Sequence, residues 1–138
     1  MIRVYTASKL STAQMWRELH AAWPHVYFHA RWLKHNAIGT PDLQAYAGRF
    51  WKEDEIDVRQ ADALLLYGLP GEHLRGALVE AGMAIAFQVP VIVVGEHPDY
   101  GTWQYHPGVH RVADLNAACA FLEELDRQHG LNQTEAAE

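Results

Sequence analysis

The tightest constraint on the fold comes from two uninterrupted apolar runs, Ala63-Leu64-Leu65-Leu66-Tyr67 and Val91-Ile92-Val93-Val94, joined by a stretch rich in alanine, glycine and leucine. A strand with one wet face alternates polar and apolar residues. These two runs do not alternate, so both of their faces must be covered, as in a parallel sheet flanked by helices. Gly68 and Pro70-Gly71 close the first run and Gly95 closes the second. Between them, Leu74 to Phe87 reads as a helix whose Ala77, Leu78, Ala81, Ala84 and Ile85 allow close approach to a sheet. A strand, a helix and a second buried strand in succession predict a parallel pair with a right-handed crossover.

The rest of the chain extends this pattern. Ile2 to Thr6 reads as a strand, and Ser11 to Trp23 as a helix with Ser11 or Thr12 as N-cap and Pro24 as terminator. His25 to His29 is a second strand. Ala30 to Arg49 has no clear period and is read as a long irregular connection, a feature that in compact domains is often functional. Phe50 to Gln60 is a charged helix built around Ile56 and Val58, Val109 to Val112 a fifth strand, and Asp114 caps a last helix through Leu125.

At 138 residues the chain needs only one core, and one domain is expected over residues 1–129 with a disordered tail over 130–138. A net charge of -6 argues against a protein whose task is to grip a nucleic acid polymer. No apolar run is long enough for a membrane span, no signal peptide is recognised, and a cytoplasmic location is expected. Cys119 is the single cysteine, which rules out an intrachain disulfide. The nine histidines show neither HExxH nor a paired Cys/His spacing, so no metal is expected.

In open parallel sheets, ligands sit at the carboxyl ends of the strands. The loops after Tyr5, Phe28, Tyr67 and Val94 therefore matter most. Glu80 stands out because it lies about two turns into the helix that follows Tyr67, within an otherwise small or apolar stretch. A carboxylate buried there is costly without a partner or a task, although a surface salt bridge is the competing reading. Arg75, at the amino end of the same helix, offers a planar fork of donors to an anion such as a phosphate. His97 and His106, with Trp103 and Tyr105, are candidates for a pocket rim, and Trp32, Trp51, Trp103 or Tyr105 could stack a base.

The pattern of Asp62 opening a buried strand, then Gly76, Glu80, Gly82 and Ala84 on a helix, then Gln88-Val89-Pro90-Val91, resembles the nucleoside 2-deoxyribosyltransferases and the deoxynucleoside 5′-monophosphate N-glycosidases. The likeness covers about Asp54 to Val94, plus Tyr5. It implies a flavodoxin-like three-layer α/β sandwich with five parallel strands in the order 2-1-3-4-5. It also implies cleavage or transfer at an N-glycosidic bond of a nucleoside or nucleotide, with Glu80 as nucleophile at C1′. Asp54 would meet the base and handle its proton, with Asp57 as competitor, and Tyr5 would hold the carboxylate. Ser8 and Lys9 stand where monophosphate-acting relatives bind phosphate, and Asp62, Gly68, His73, Arg75 and Gly76 complete the expected substrate-binding set. No cofactor is implied, and relatives complete their sites from a neighbouring subunit, so a homodimer or larger oligomer is expected. One departure is clear: the transferases usually carry an aspartate six residues before the nucleophile, where this chain has Leu74. That departure leaves room for a non-catalytic nucleotide-binding or sensing module, and an NAD glycohydrolase-like activity is a further alternative.

Overall fold

The computed structural model of the chain describes residues 2–7, 21–23, 26–29 and 43–137. The strands β1 (Ile2–Ala7), β2 (Val26–His29), β3 (Ala63–Tyr67), β4 (Val91–Val94) and β5 (Val109–Val112) form one sheet in the order β2-β1-β3-β4-β5. All four pairings are parallel. This is the flavodoxin-like order expected from the resemblance. Helices α1 (Leu43–Gln60) and α2 (Arg75–Ala86) pack together, and α2 lies on β1, β3 and β4. The last helix, α3 (Leu115–Ala137), covers the other face, against β1, β2, β4 and β5.

The apolar runs behave as their composition requires. Ala63 to Leu66 and Val91 to Val94 are buried, and Ala77, Ala81 and Ala84 let α2 settle on them. Arg59 lies with its guanidinium 4.6 Å from the Phe87 ring centre, joining the carboxyl ends of α1 and α2. Asp114 Oδ1 accepts from the Ala117 N–H at 2.8 Å and so caps α3 as expected. Cys119 is buried, and burial pushes its thiol up to about 11.

Two features differ from the sequence reading. The segment read as an irregular connection through Arg49 is helical from Leu43, with Gly48 on the exposed side and Tyr46 stacked on Phe50 one turn later. A single exposed glycine costs only about 1 kcal/mol, and tertiary packing overrides it. Helix α3 likewise passes through Gly130 and runs to Ala137. The second difference concerns the charge run of α1. Asp54 and Asp57 are buried at 1% and 3% exposure, while Ile56, taken as a core residue, is 48% exposed. The expected helix over Ser11 to Trp23 falls largely outside the described residues.

Candidate active site

Tyr5 sits on the central strand β1, two residues from its carboxyl end, and its side chain is fully buried. Glu80 lies five residues beyond Arg75, the first residue of α2, which carries its carboxyl roughly 7 Å down the helix axis from the mouth of the sheet. Between these two points the Tyr5 hydroxyl donates a short hydrogen bond to Glu80 Oε2. Asp54, from α1, is hydrogen-bonded to both partners and lies in their fields. Its Oδ1, however, is buried without a partner among the described residues. Three segments far apart in sequence thus bring two carboxyls and a phenol together in a dry site.

The electrostatics follow from that burial. Desolvation raises Glu80 well above the usual carboxylate range; the bond from Tyr5 opposes this, and the proximity of Asp54 adds to it. Asp54 is pushed up to about 6, chiefly by burial, with the Asp57 and Glu53 charges adding to the rise and the Tyr5 and Glu80 bonds opposing it. Burial and the two neighbouring acids also raise the Tyr5 phenol far beyond its ordinary value, so it stays protonated and keeps its hydrogen for Glu80. Two carboxyls this close cannot both ionise cheaply, and around neutrality the pair shares a proton. One acid and one base side by side can protonate a leaving group and attack the carbon it leaves.

The other expected residues divide by location. Arg75 and His73 are exposed at the amino end of α2. Gly68, at the end of β3, is packed so tightly that an added Cβ would lie 2.6 Å from Leu74 Cδ1 and 2.9 Å from His97 Cδ2. Gly76 faces Trp51, whose ring carbons would be 3.5 Å from an added Cβ, so the pair reads as helix packing and Trp51 is occupied there. Asp62, expected in the substrate-binding set, is engaged elsewhere in the fold. It lies at the amino end of β3, opposite the crevice, where Oδ2 accepts from the Arg3 N–H at 2.9 Å and its own N–H donates to Arg3 O at 2.8 Å. Ser8, Lys9 and Trp32 lie outside the described residues.

In the loop after β4, which the sequence singled out, the reading missed Asp99. His97, expected at a rim, is buried, with Nε2 3.1 Å from Leu69 O, and its Nδ1 accepts from the Asp99 N–H at 3.0 Å. Asp99 Oδ2 accepts from the Leu74 N–H at 2.8 Å, placing a carboxylate at the helix start where position 74 itself is apolar and buried. The His-Pro-Asp-Tyr string signals a turn there but not the partner of Asp99. A neighbouring cleft of about 780 Å³ is lined by Glu96, His97, Tyr100, Gln104, Tyr105 and Arg111, among others, with the Arg111 guanidinium 4.6 Å from the Tyr105 ring centre. Tyr5, Asp54 and Glu80 do not line it. His106 is exposed and bonded to the Gly108 N–H. Among the described residues no cluster of His, Cys, Asp and Glu could hold a metal, and no helix is long and apolar enough to cross a membrane.

Fold and site together define a flavodoxin-like α/β domain with a buried acidic cluster beneath the carboxyl edge of its central strands. Two solved structures share this architecture. One is a 2-deoxyribosyltransferase from Bacillus psychrosaccharolyticus, at 14% identity and TM-score 0.59, with 83% of this chain and 88% of that one covered. The other is the CMP N-glycosidase BcmB of Clostridium botulinum, at 18% identity and TM-score 0.55, with 90% and 98% covered. No family model and no curated protein matches the sequence.

Proposed function

We propose that the protein is an enzyme of the nucleoside 2-deoxyribosyltransferase superfamily that cleaves or transfers the N-glycosidic bond of a nucleoside or nucleoside 5′-monophosphate. The observation that carries this reading is the buried triad of Tyr5, Asp54 and Glu80. The names of the two structural neighbours, a deoxyribosyltransferase and a CMP N-glycosidase, support the same chemistry.

In this reading Glu80 is ionised in the productive complex and Asp54 holds the shared proton. Tyr5 fixes Glu80 Oε2, leaving the second oxygen free to attack C1′. As the C1′–O bond forms, the C1′–N bond breaks and its electron pair returns to the base, which takes the proton of Asp54. Charge on the oxocarbenium-like transition state is met by the carboxylate that then forms the ester. Water, or a second base, attacks C1′ in turn and gives its proton to Asp54, and Glu80 leaves as carboxylate. The unpartnered Oδ1 of Asp54 gives a ligand N–H or O–H a group to satisfy. The buried, apolar Leu74 keeps one competitor in play, a binding module without turnover.

The test is a panel of ribo- and deoxynucleosides, their monophosphates and NAD, incubated with and without an acceptor base. Free base marks a hydrolase and base exchange a transferase; binding of a panel member without turnover marks the module. Glu80→Gln is expected to abolish base release while the protein stays folded. Full activity in that variant refutes the assignment of the nucleophile.

A further inference from the structure

We propose that Asp99 is a positioning residue that holds Glu80 in register with Tyr5 by anchoring the start of α2. The proposal rests on Glu80 being the reacting carboxyl. Helix α2 begins after Leu74, which makes no side-chain cap of its own. What holds this end is the loop after β4. Tyr100 ties that loop back to its strand, its hydroxyl donating to Val94 O at 2.9 Å and its N–H to His97 O at 3.0 Å. Because His97 Nδ1 accepts from the Asp99 N–H, its Nε2 carries the hydrogen and donates to Leu69 O. Asp99, held in this way, receives the Leu74 N–H at 2.8 Å. The clamp is dry at its base, since the His97 side chain is 2% exposed and the space over Gly68 is filled by Leu74 and His97.

Glu80 lies six residues beyond Leu74 on a rod that does not stretch, so any shift of the helix start reaches its carboxyl in full. The hydrogen bond to Tyr5 depends steeply on distance, and misplacement of a reacting group by about 1 Å can cost about 100-fold in rate. Asp99 is exposed enough to hydrate, so its service to Leu74 is not forced by burial of the acid itself.

Asp99→Ala and Asp99→Asn separate this role from general stability. With a substrate found in the panel, Asp99→Ala should lower kcat about tenfold or more while KM stays within about twofold, because chemistry and not binding loses its geometry. The 13C carboxyl resonance of Glu80, assigned with Glu80→Gln, should move in the same variant. Asp99→Asn keeps an acceptor oxygen and should restore both readouts. The proposal is overturned if Asp99→Ala leaves rate and resonance unchanged, or if Asp99→Asn fails as badly as alanine. If the native protein turns over no panel member, yet the resonance moves in Asp99→Ala and not in Asp99→Asn, the enzymatic reading fails and the positioning role stands. Should Asp99→Ala not fold, His97→Ala removes the support beneath Asp99 and takes its place in both measurements.

Discussion

Replacing Asp54 by asparagine should raise stability relative to the native protein progressively as pH rises from acid to neutrality. Burial moves the Asp54 carboxyl from 3.8 to about 6. The folded chain keeps that proton up to about pH 6, while the unfolded chain loses it near 3.8, so between these values the folded state binds more protons and stability falls as pH rises. A difference of about two pH units corresponds to about 3 kcal/mol, lost by the native protein between roughly pH 3.5 and pH 7 and not lost by the asparagine variant. Across a chain of 138 residues, 3 kcal/mol is roughly 10 °C in melting temperature. Any fixed cost of fitting an amide beside Tyr5 and Glu80 is the same at each pH and drops out of the comparison. Relief of Glu80 from its acidic neighbour acts in the same direction, since the Asp54 charge raises Glu80.

The assay is urea unfolding of both proteins at several pH values from 3.5 to 7.5, with the stability difference plotted against pH. A rising difference that levels off near pH 7 is expected. A flat line would refute the argument, because it would mean that Asp54 titrates alike in the folded and unfolded chain and the triad is not a strained acidic site.

Three further outcomes follow from the same geometry. In the proposed reaction the Asp54–Glu80 pair must hold a single proton, so kcat/KM for base release should rise as pH rises through about 6, where the doubly protonated pair gives up its first proton; a profile falling through that point would refute the shared-proton reading. Gly68→Ala should cost about 1–3 kcal/mol in denaturant unfolding, since its new methyl meets Leu74 and His97 at 2.6 and 2.9 Å, and an unchanged midpoint would show that the clamp yields freely. Gln88→Gly, at a residue with φ 61° just past α2, should stabilise by up to about 1 kcal/mol because glycine takes that conformation without strain, and a loss of stability would show that the glutamine side chain matters more than its backbone.

The parts of the fold legible in the sequence are those where one physical demand decides the residue type. A strand covered on both faces must be apolar throughout, so β3 and β4 and the alanine-rich helix between them announced the parallel sheet. In α1, Gly48 hid the first half, and the inward face of the second was misread because its stripe is only partly apolar. Tyr46, Phe50, Asp54 and Val58 recur every fourth residue, but the third of them is an acid, and a periodicity search reads an inward acid as a break in the pattern. The charges around it then read as a wet face, although Asp54 and Asp57 point inward and Ile56 points out.

The same reasoning separates what could be read of the site from what could not. Glu80 was visible because a lone carboxylate among alanines is an anomaly that composition alone exposes, and the family pattern gave it a role. Asp99 stood in a loop where an aspartate is ordinary, and its partner is a backbone N–H that belongs to no particular residue type, so nothing in the string Glu96-His97-Pro98-Asp99-Tyr100 points to Leu74. The two acids therefore differ in kind. One is conspicuous because its own surroundings reject it, and that rejection is what raises its proton affinity. The other is inconspicuous because it is comfortable where it is, and comfort is what lets it serve as a fixed reference for the helix that carries the first.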